Sequence, residues 1–198
     1  EMYHLNNVIG TQRLLQAMNG HCSRLIFASS AAVYGNLTAK ATETVQCNPT
    51  SPYGENKLEC ENMLAASKID CIILRLFNVA GSIVHPLNGL SLGEDHTPET
   101  HLIPLVIQRH LRNEPVLIFG NNHNTPDGTC IREYVHVHDV VNAIALSIEY
   151  LMSNSNVYQI FNVSSGRGYS VNQVISTLSD IGQELDYEPI RTIVEEPR

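Results

Sequence analysis

Four short apolar runs punctuate the chain: Arg24-Leu-Ile-Phe-Ala-Ser-Ser30, Cys71-Ile-Ile-Leu-Arg-Leu-Phe77, Val116-Leu-Ile-Phe119 and Tyr158-Gln-Ile-Phe-Asn-Val163. Their brevity and their content of Ile, Val and Phe predict strands buried on both faces. Helix-length stretches lie around them, at about 3–18, 53–67, 102–113, 138–152 and 170–182. Two of these carry start signals. Ser51 can cap free amides while Pro52 suits the first helical position, and Ser170 precedes the spacing Val171, Val174, Ile175, Leu178. Strands alternating with helices predict an α/β fold with a doubly wound parallel sheet and right-handed crossovers. From about Gly81 to Thr100, and again over Gly120–Gly128, the pattern dissolves into turn chemistry. Loops of that length inside a compact domain are usually either functional or disordered.

Composition narrows the class of partner. Of 198 residues, 43% are hydrophobic and 16% charged, which excludes a disordered chain. Twelve basic against twenty acidic residues give a net charge of −8, opposite to what nucleic acid or an anionic membrane attracts. Uninterrupted apolar runs fall far short of the ~20 residues that span a bilayer. The five cysteines (Cys22, Cys47, Cys60, Cys71, Cys130) are scattered and contain no C-x-x-C pair, as expected of reduced thiols in a cytoplasmic protein. His136-Val137-His138-Asp139 lacks a third ligand at metal spacing, so the expectation is structural histidines and no metal. The chain opens on Glu1 rather than Met, which is read as a piece of a longer protein.

Candidate chemistry gathers around Ser51-Pro52-Tyr53-Gly54-Glu55-Asn56-Lys57. On a helix, Tyr53 and Lys57 share a face one turn apart. A phenol, with a pKa near ~10, is a poor base at neutral pH, and a neighbouring ammonium favours its anion. In isolation Tyr-x-x-x-Lys is weak evidence and fits an ordinary surface pair. The strand ending in Ser29-Ser30 alters this, because open α/β sheets bind ligands at the carboxyl ends of their strands. A hydroxyl there can hold the same substrate oxygen that the phenolate deprotonates.

These residues resemble the extended short-chain dehydrogenase/reductase family, and within it the UDP-hexose 4-epimerases. The resemblance runs through Asn6-Asn7-Val8-Ile9-Gly10-Thr11, Phe27–Gly35, the tyrosine–lysine segment, Arg75-Leu-Phe-Asn-Val-Ala-Gly81, Gly93–His96, Glu99–Pro104, Ile118–Gly120 and Asp127–Val137. It implies NAD-dependent epimerisation at C4 of a UDP-hexose through a transient 4-keto sugar, interconverting UDP-glucose and UDP-galactose in galactose metabolism. By the same resemblance Tyr53 is the base, Lys57 tunes it and holds the nicotinamide ribose, and Ser30 orients the C4 oxygen. Asn6, Ser29, Tyr53, Lys57 and Phe77 are expected at NAD, and Ser30, Asn78, His101, Leu102, Phe119 and Arg132 at the UDP-sugar. Arg198 is assigned to a second phosphate-binding segment, and a homodimer through the helices near 3–18 and 53–67 is implied.

Sugar-nucleotide dehydratases of the family carry carboxylates beside the serine or threonine, whereas here that slot is Ala31-Ala32, and an alanine transfers no proton. Alternatives kept open are an N-acetylhexosamine or pentose 4-epimerase and a catalytically silent sugar-nucleotide binder. The family's Gly-rich pyrophosphate turn is not within these residues. Gly166-Arg167-Gly168 follows a late strand and lacks the third glycine. The expectation is therefore that 198 residues alone do not turn over. Residues 1–80 and 130–164 are assigned to the dinucleotide-binding domain, and 81–129 with 165–198 to a smaller substrate domain, truncated at its end.

Overall fold

Helix starts fall where capping chemistry places them. Ser51 Oγ accepts from the Gly54 amide at 3.1 Å and opens α2 (Pro52–Ala66) with Pro52 in its first turn. Ser170 forms a capping box with Gln173 and opens α5 (Val171–Glu184). A computed structural model describes residues 2–37 and 40–196; Arg198 lies outside them. The remaining elements are α1 (Gly10–Met18), β1 (Arg24–Ser30), β2 (Asp70–Leu76), β3 (Asn78–Ala80), β4 (Ile83–Val84), β5 (Ser91–Leu92), α3 (Leu102–Leu111), β6 (Val116–Phe119), β7 (Ile131–His136), α4 (Val137–Ser153), β8 (Tyr158–Val163), β9 (Gly168–Ser170) and β10 (Thr192–Glu195). The first expected helix is not uniform, since His4–Ile9 winds as a π-helix before α1.

The chain divides into two compact units, one comprising Glu1–Val79 with Val135–Ser164, the other Ala80–Tyr134 with Ser165–Arg198. The first is an α/β layer structure on the parallel sheet β1-β2-β8. Strand alternation sorts its core. Cys71 and Ile73 pack with Leu64 of α2, Leu15 of α1, and Leu25, Phe27 and Ile160. Ile72 and Leu74 pack on the opposite face with Val140 and Leu151 of α4, Val157 and Val163. Each such side chain contributes roughly 1.5–3 kcal/mol by leaving water.

Two expectations change here. Only β2 is buried along its length; β1 and β8, its neighbours among the described residues, are half exposed. The crossovers also cannot both be right-handed. Both steps run parallel in one direction across the sheet, yet α2 and α4 lie on opposite faces. The handedness rule governs a strand–helix–strand unit, and the chain between β2 and β8 is no such unit, since it builds the whole central part of the other unit first.

In the second unit, β6 pairs in parallel with β10 while Val106 of α3, Val116, Ile118 and Ile175 of α5 form the core. The first half of β7 pairs antiparallel with β9. The strands Ile131-Arg-Glu-Tyr-Val-His136, half exposed with Val135 buried, and Thr192–Glu195, exposed throughout, were not expected from pattern, since neither has a continuous apolar run. Asp127 ties the unit together. It accepts from the Thr129 amide and hydroxyl at 2.9 and 2.8 Å, and from the Ser170 hydroxyl at 2.5 Å. These donors, Ser170 first, hold its carboxyl below the usual range. A depressed carboxylate stabilises the fold above its ordinary pKa, and that contribution disappears as pH falls through the lower folded value. Asp127→Asn is therefore expected to lower the thermal midpoint at pH 7 and to flatten its decline below about pH 4, read by thermal scans across pH.

Candidate active site

The strand-end serine and the helix bearing Tyr53 and Lys57 converge in the first unit. Ser30 leaves β1 in extended geometry and its Oγ accepts from the Ala32 amide at 3.2 Å, opening a 3-10 turn over Ala31–Tyr34. The start of α2 lies directly on that turn. A Cβ placed on Gly54 would stand 2.4 Å from the Ala32 carbonyl oxygen, so only glycine permits the approach beside Tyr53. One turn further, Lys57 Nζ donates to the Ala28 carbonyl at 2.9 Å. It also lies 5.0 Å from the centroid of the Phe27 ring and 5.8 Å from that of Tyr53. Burial pushes the Lys57 ammonium below its ordinary pKa, partly offset by the Cys60 thiol. The carboxyl end of β1, Tyr53 and Lys57 thus form one constellation.

Other expected residues distribute unevenly. Asn6 is exposed on the π-helical turn, which packs on α2 through a Cys60 Sγ contact to the Asn7 carbonyl at 3.4 Å. The neighbouring Tyr3 ring meets Tyr53 edge-on at 5.8 Å. Phe77 and Asn78 follow the end of β2, at the same sheet end as Ser30, whose register partner is Leu76. His101, Leu102, Phe119 and Arg132 belong to the second unit. His101 precedes α3 with its ring 3.1 Å from Glu99, Phe119 ends β6, and Arg132 is exposed on β7. Leu102 opens α3, and its side chain packs against the unit's core.

The side chain of Ser29, a residue expected at the cofactor, is buried and its hydroxyl donates to Glu61 Oε1 at 2.5 Å. Glu61 and Arg75 form a paired fork at 3% and 4% exposure, Nε to Oε1 at 3.1 Å and Nη2 to Oε2 at 2.7 Å. Arg75 Nη1 donates to the Tyr34 hydroxyl at 2.9 Å, which donates to Asn162 Oδ1 at 2.7 Å. Burial would lower the Arg75 pKa, but bonds to Glu61 and Tyr34 outweigh it and hold the guanidinium charged. Nothing in the local sequence pattern marks Glu61 and Arg75 as partners. The pattern shows only a lone arginine in the most apolar strand and a glutamate four residues beyond Lys57.

His136 and His138, expected to be structural, lie at the start of α4. His136 Nδ1 accepts from the His138 amide at 3.1 Å, so it caps α4. Among the described residues, Glu94, His96 and His101 bring ligand atoms within 4.8 Å of one another; all three are exposed, and Glu94–His96 and Glu99–His101 are paired at 3.1 Å. An apolar recess of about 400 Å³ lies beneath α4, lined by Ile72, Leu74, Leu146, Tyr150 and Phe161. It contains none of Ser30, Tyr53 or Lys57. Burial pushes the Cys71 thiol up to about 12, as befits an inert core cysteine, and no described helix is long and apolar enough to cross a membrane.

Known proteins resemble this chain over most of its length. A family model described as the NAD dependent epimerase/dehydratase family matches residues 1–164. A UDP-glucose 4-epimerase of Halalkalibacterium halodurans is 42% identical over 186 residues, 90% of this chain and 54% of that protein. A crystal structure of UDP-glucose 4-epimerase from Brucella ovis in complex with NAD has a TM-score of 0.85 at 35% identity, covering 98% of this chain and 59% of that one. The Bifidobacterium longum UDP-glucose 4-epimerase, in complex with NAD+ and UDP, has a TM-score of 0.81 at 29% identity, covering 99% and 58%. The chain thus spans little more than half the length of these relatives. With the sheet, the tyrosine–lysine helix and a match over most of its length, the chain belongs to the NAD dependent epimerase/dehydratase family.

Proposed function

We propose that the protein carrying this chain epimerises C4 of a UDP-hexose, interconverting UDP-glucose and UDP-galactose. The observation that carries the reading is the Lys57 ammonium held between the end of β1 and the Tyr53 ring, with Ser30 behind the same turn.

The residues present fit the nicotinamide end of NAD: a partly buried ammonium and phenol, with Phe77 at the same sheet end. No G-x-G-x-x-G turn for the pyrophosphate occurs in the sequence. When bound, NAD supplies the acceptor for the C4 hydride and gives that hydride back. Tyr53 takes the C4 hydroxyl proton and later returns it to the same oxygen. Ser30 Oγ already accepts from Ala32, which leaves its hydrogen to be donated to the C4 oxygen. Lys57 favours the phenolate by proximity. Arg132 pairs with the diphosphate as a guanidinium fork, His101 and Leu102 present the amino end of α3, and Phe119 lines the uracil. The Ala31-Ala32 pair favours epimerisation over dehydration, since neither can act as acid or base. A cytoplasmic setting suits five unpaired thiols, and the exposed Met2, Tyr3, Leu5 and Leu14 suit a homodimer face.

The test is to supply the protein with NAD and UDP-glucose and follow UDP-galactose by chromatography. Formation of an equilibrium mixture from either sugar is expected. Absence of interconversion from either side, with both nucleotides bound, overturns the reading.

A further inference from the structure

The Glu61–Arg75 pair is puzzling as a stabilising device. Burying two charges costs about as much as their attraction returns, and a well-packed apolar pair of similar volume is commonly as stable. What the charges add is direction. Glu61 binds Ser29 beneath β1, and Arg75 binds the Tyr34 hydroxyl at the far end of the 3-10 turn. Asn162 of β8 holds Tyr34 from the third strand, and its own amide donates to Glu43 at 2.8 Å. The stretch from Ser29 to Tyr34, with Ser30 inside it, is therefore fixed at both ends. Glu61 also stands four residues beyond Lys57 and eight beyond Tyr53, on one stripe of α2.

We propose that Glu61 and Arg75 are positioning residues that set the height of Ser30 against Tyr53, through Ser29 on one side and Tyr34 on the other. The proposal rests on the epimerase reading for its catalytic consequence. Ser30 Oγ receives the Ala32 amide, so its hydroxyl moves with the turn and cannot compensate independently. Displacements of about 1 Å in a reacting constellation cost as much as ~10²-fold in rate. A network that clamps the strand end, the turn and the helix suits that tolerance.

Two variants test it in the protein carrying this chain, loaded with NAD. Glu61→Leu combined with Arg75→Met replaces the fork by an apolar pair. Its thermal midpoint is expected to stay within a few degrees of the parent, with KM for UDP-glucose within about twofold and kcat at least ~10-fold lower. A merely structural role predicts that kcat recovers with the thermal midpoint, and that result overturns the proposal. Ser29→Ala removes a single hydroxyl and guards against misfolding of the double variant. It is expected to lower kcat several-fold at unchanged KM, and to speed hydrogen exchange of the Ala32 amide; unchanged kcat overturns the proposal. Should the parent show no epimerase activity, the functional reading fails on its own, and the Ala32 amide decides the positioning. Unaltered exchange in Ser29→Ala then overturns it.

Discussion

Replacing Tyr53 by Phe is expected to lower turnover by roughly 10²–10⁴-fold, the range for removing a positioned general base. The change deletes one oxygen and leaves the ring, so its edge contact with Tyr3 at 5.8 Å and its place near Lys57 persist. Thermal stability and UDP-sugar affinity should therefore remain near those of the parent. The loss should fall on kcat, because in the proposed reaction the deleted oxygen moves a proton and contributes little to holding the sugar in the ground state. Steady-state kinetics with UDP-galactose, alongside binding of UDP-glucose by calorimetry, separate the two. Turnover within threefold of the parent would remove Tyr53 from the chemistry.

Gly35→Ala is expected to cause a large loss of stability. Gly35 ends the turn behind Ser30 at φ 67° and ψ −143°, a region that side chains other than glycine's rarely adopt. A Cβ there would also lie 1.9 Å from the Asn48 carbonyl oxygen and 3.0 Å from its carbon. Strain contributes on the order of 1–3 kcal/mol, and forced displacement of backbone a similar amount. Against a typical stability of about 5–15 kcal/mol that is a large fraction. Gly20 supplies the control: its φ is 77°, yet nothing lies within 4 Å of its Cβ position. Urea titrations of Gly35→Ala and Gly20→Ala should differ by at least about 1 kcal/mol. Equal losses would mean that the Asn48 contact has no consequence.

Much of the first unit was legible because its signals are local. Apolar runs gave β1, β2 and β8, and Ser51-Pro52 gave the start of α2 within a residue. The tyrosine–lysine pair was legible because helical spacing alone puts both on one face. What spacing cannot show is which side chains meet across 32 or 128 residues, the separations of Ser29–Glu61 and Tyr34–Asn162. Ser29 and Ser30 look equivalent in sequence. Alternation along β1 turns one toward Glu61 and leaves the other at the turn. Strands β7 and β10 are short and mixed in polarity, so their pairing is set by partners rather than by their own pattern.

The route between β2 and β8 bears on the order in which the molecule assembles. The Val157 amide donates to Asp70 at 2.7 Å across 87 residues, whereas β1 meets β2 after one helix. Closing a loop of that length carries an entropic cost of about 4 kcal/mol before any contact forms. The β1–α2–β2 portion can nucleate early, and the outer strand docks only after the intervening polypeptide has shortened the gap by folding. Nascent chains would therefore expose one edge of β2 for longer than the other, which makes that edge the place where assembly is most open to error.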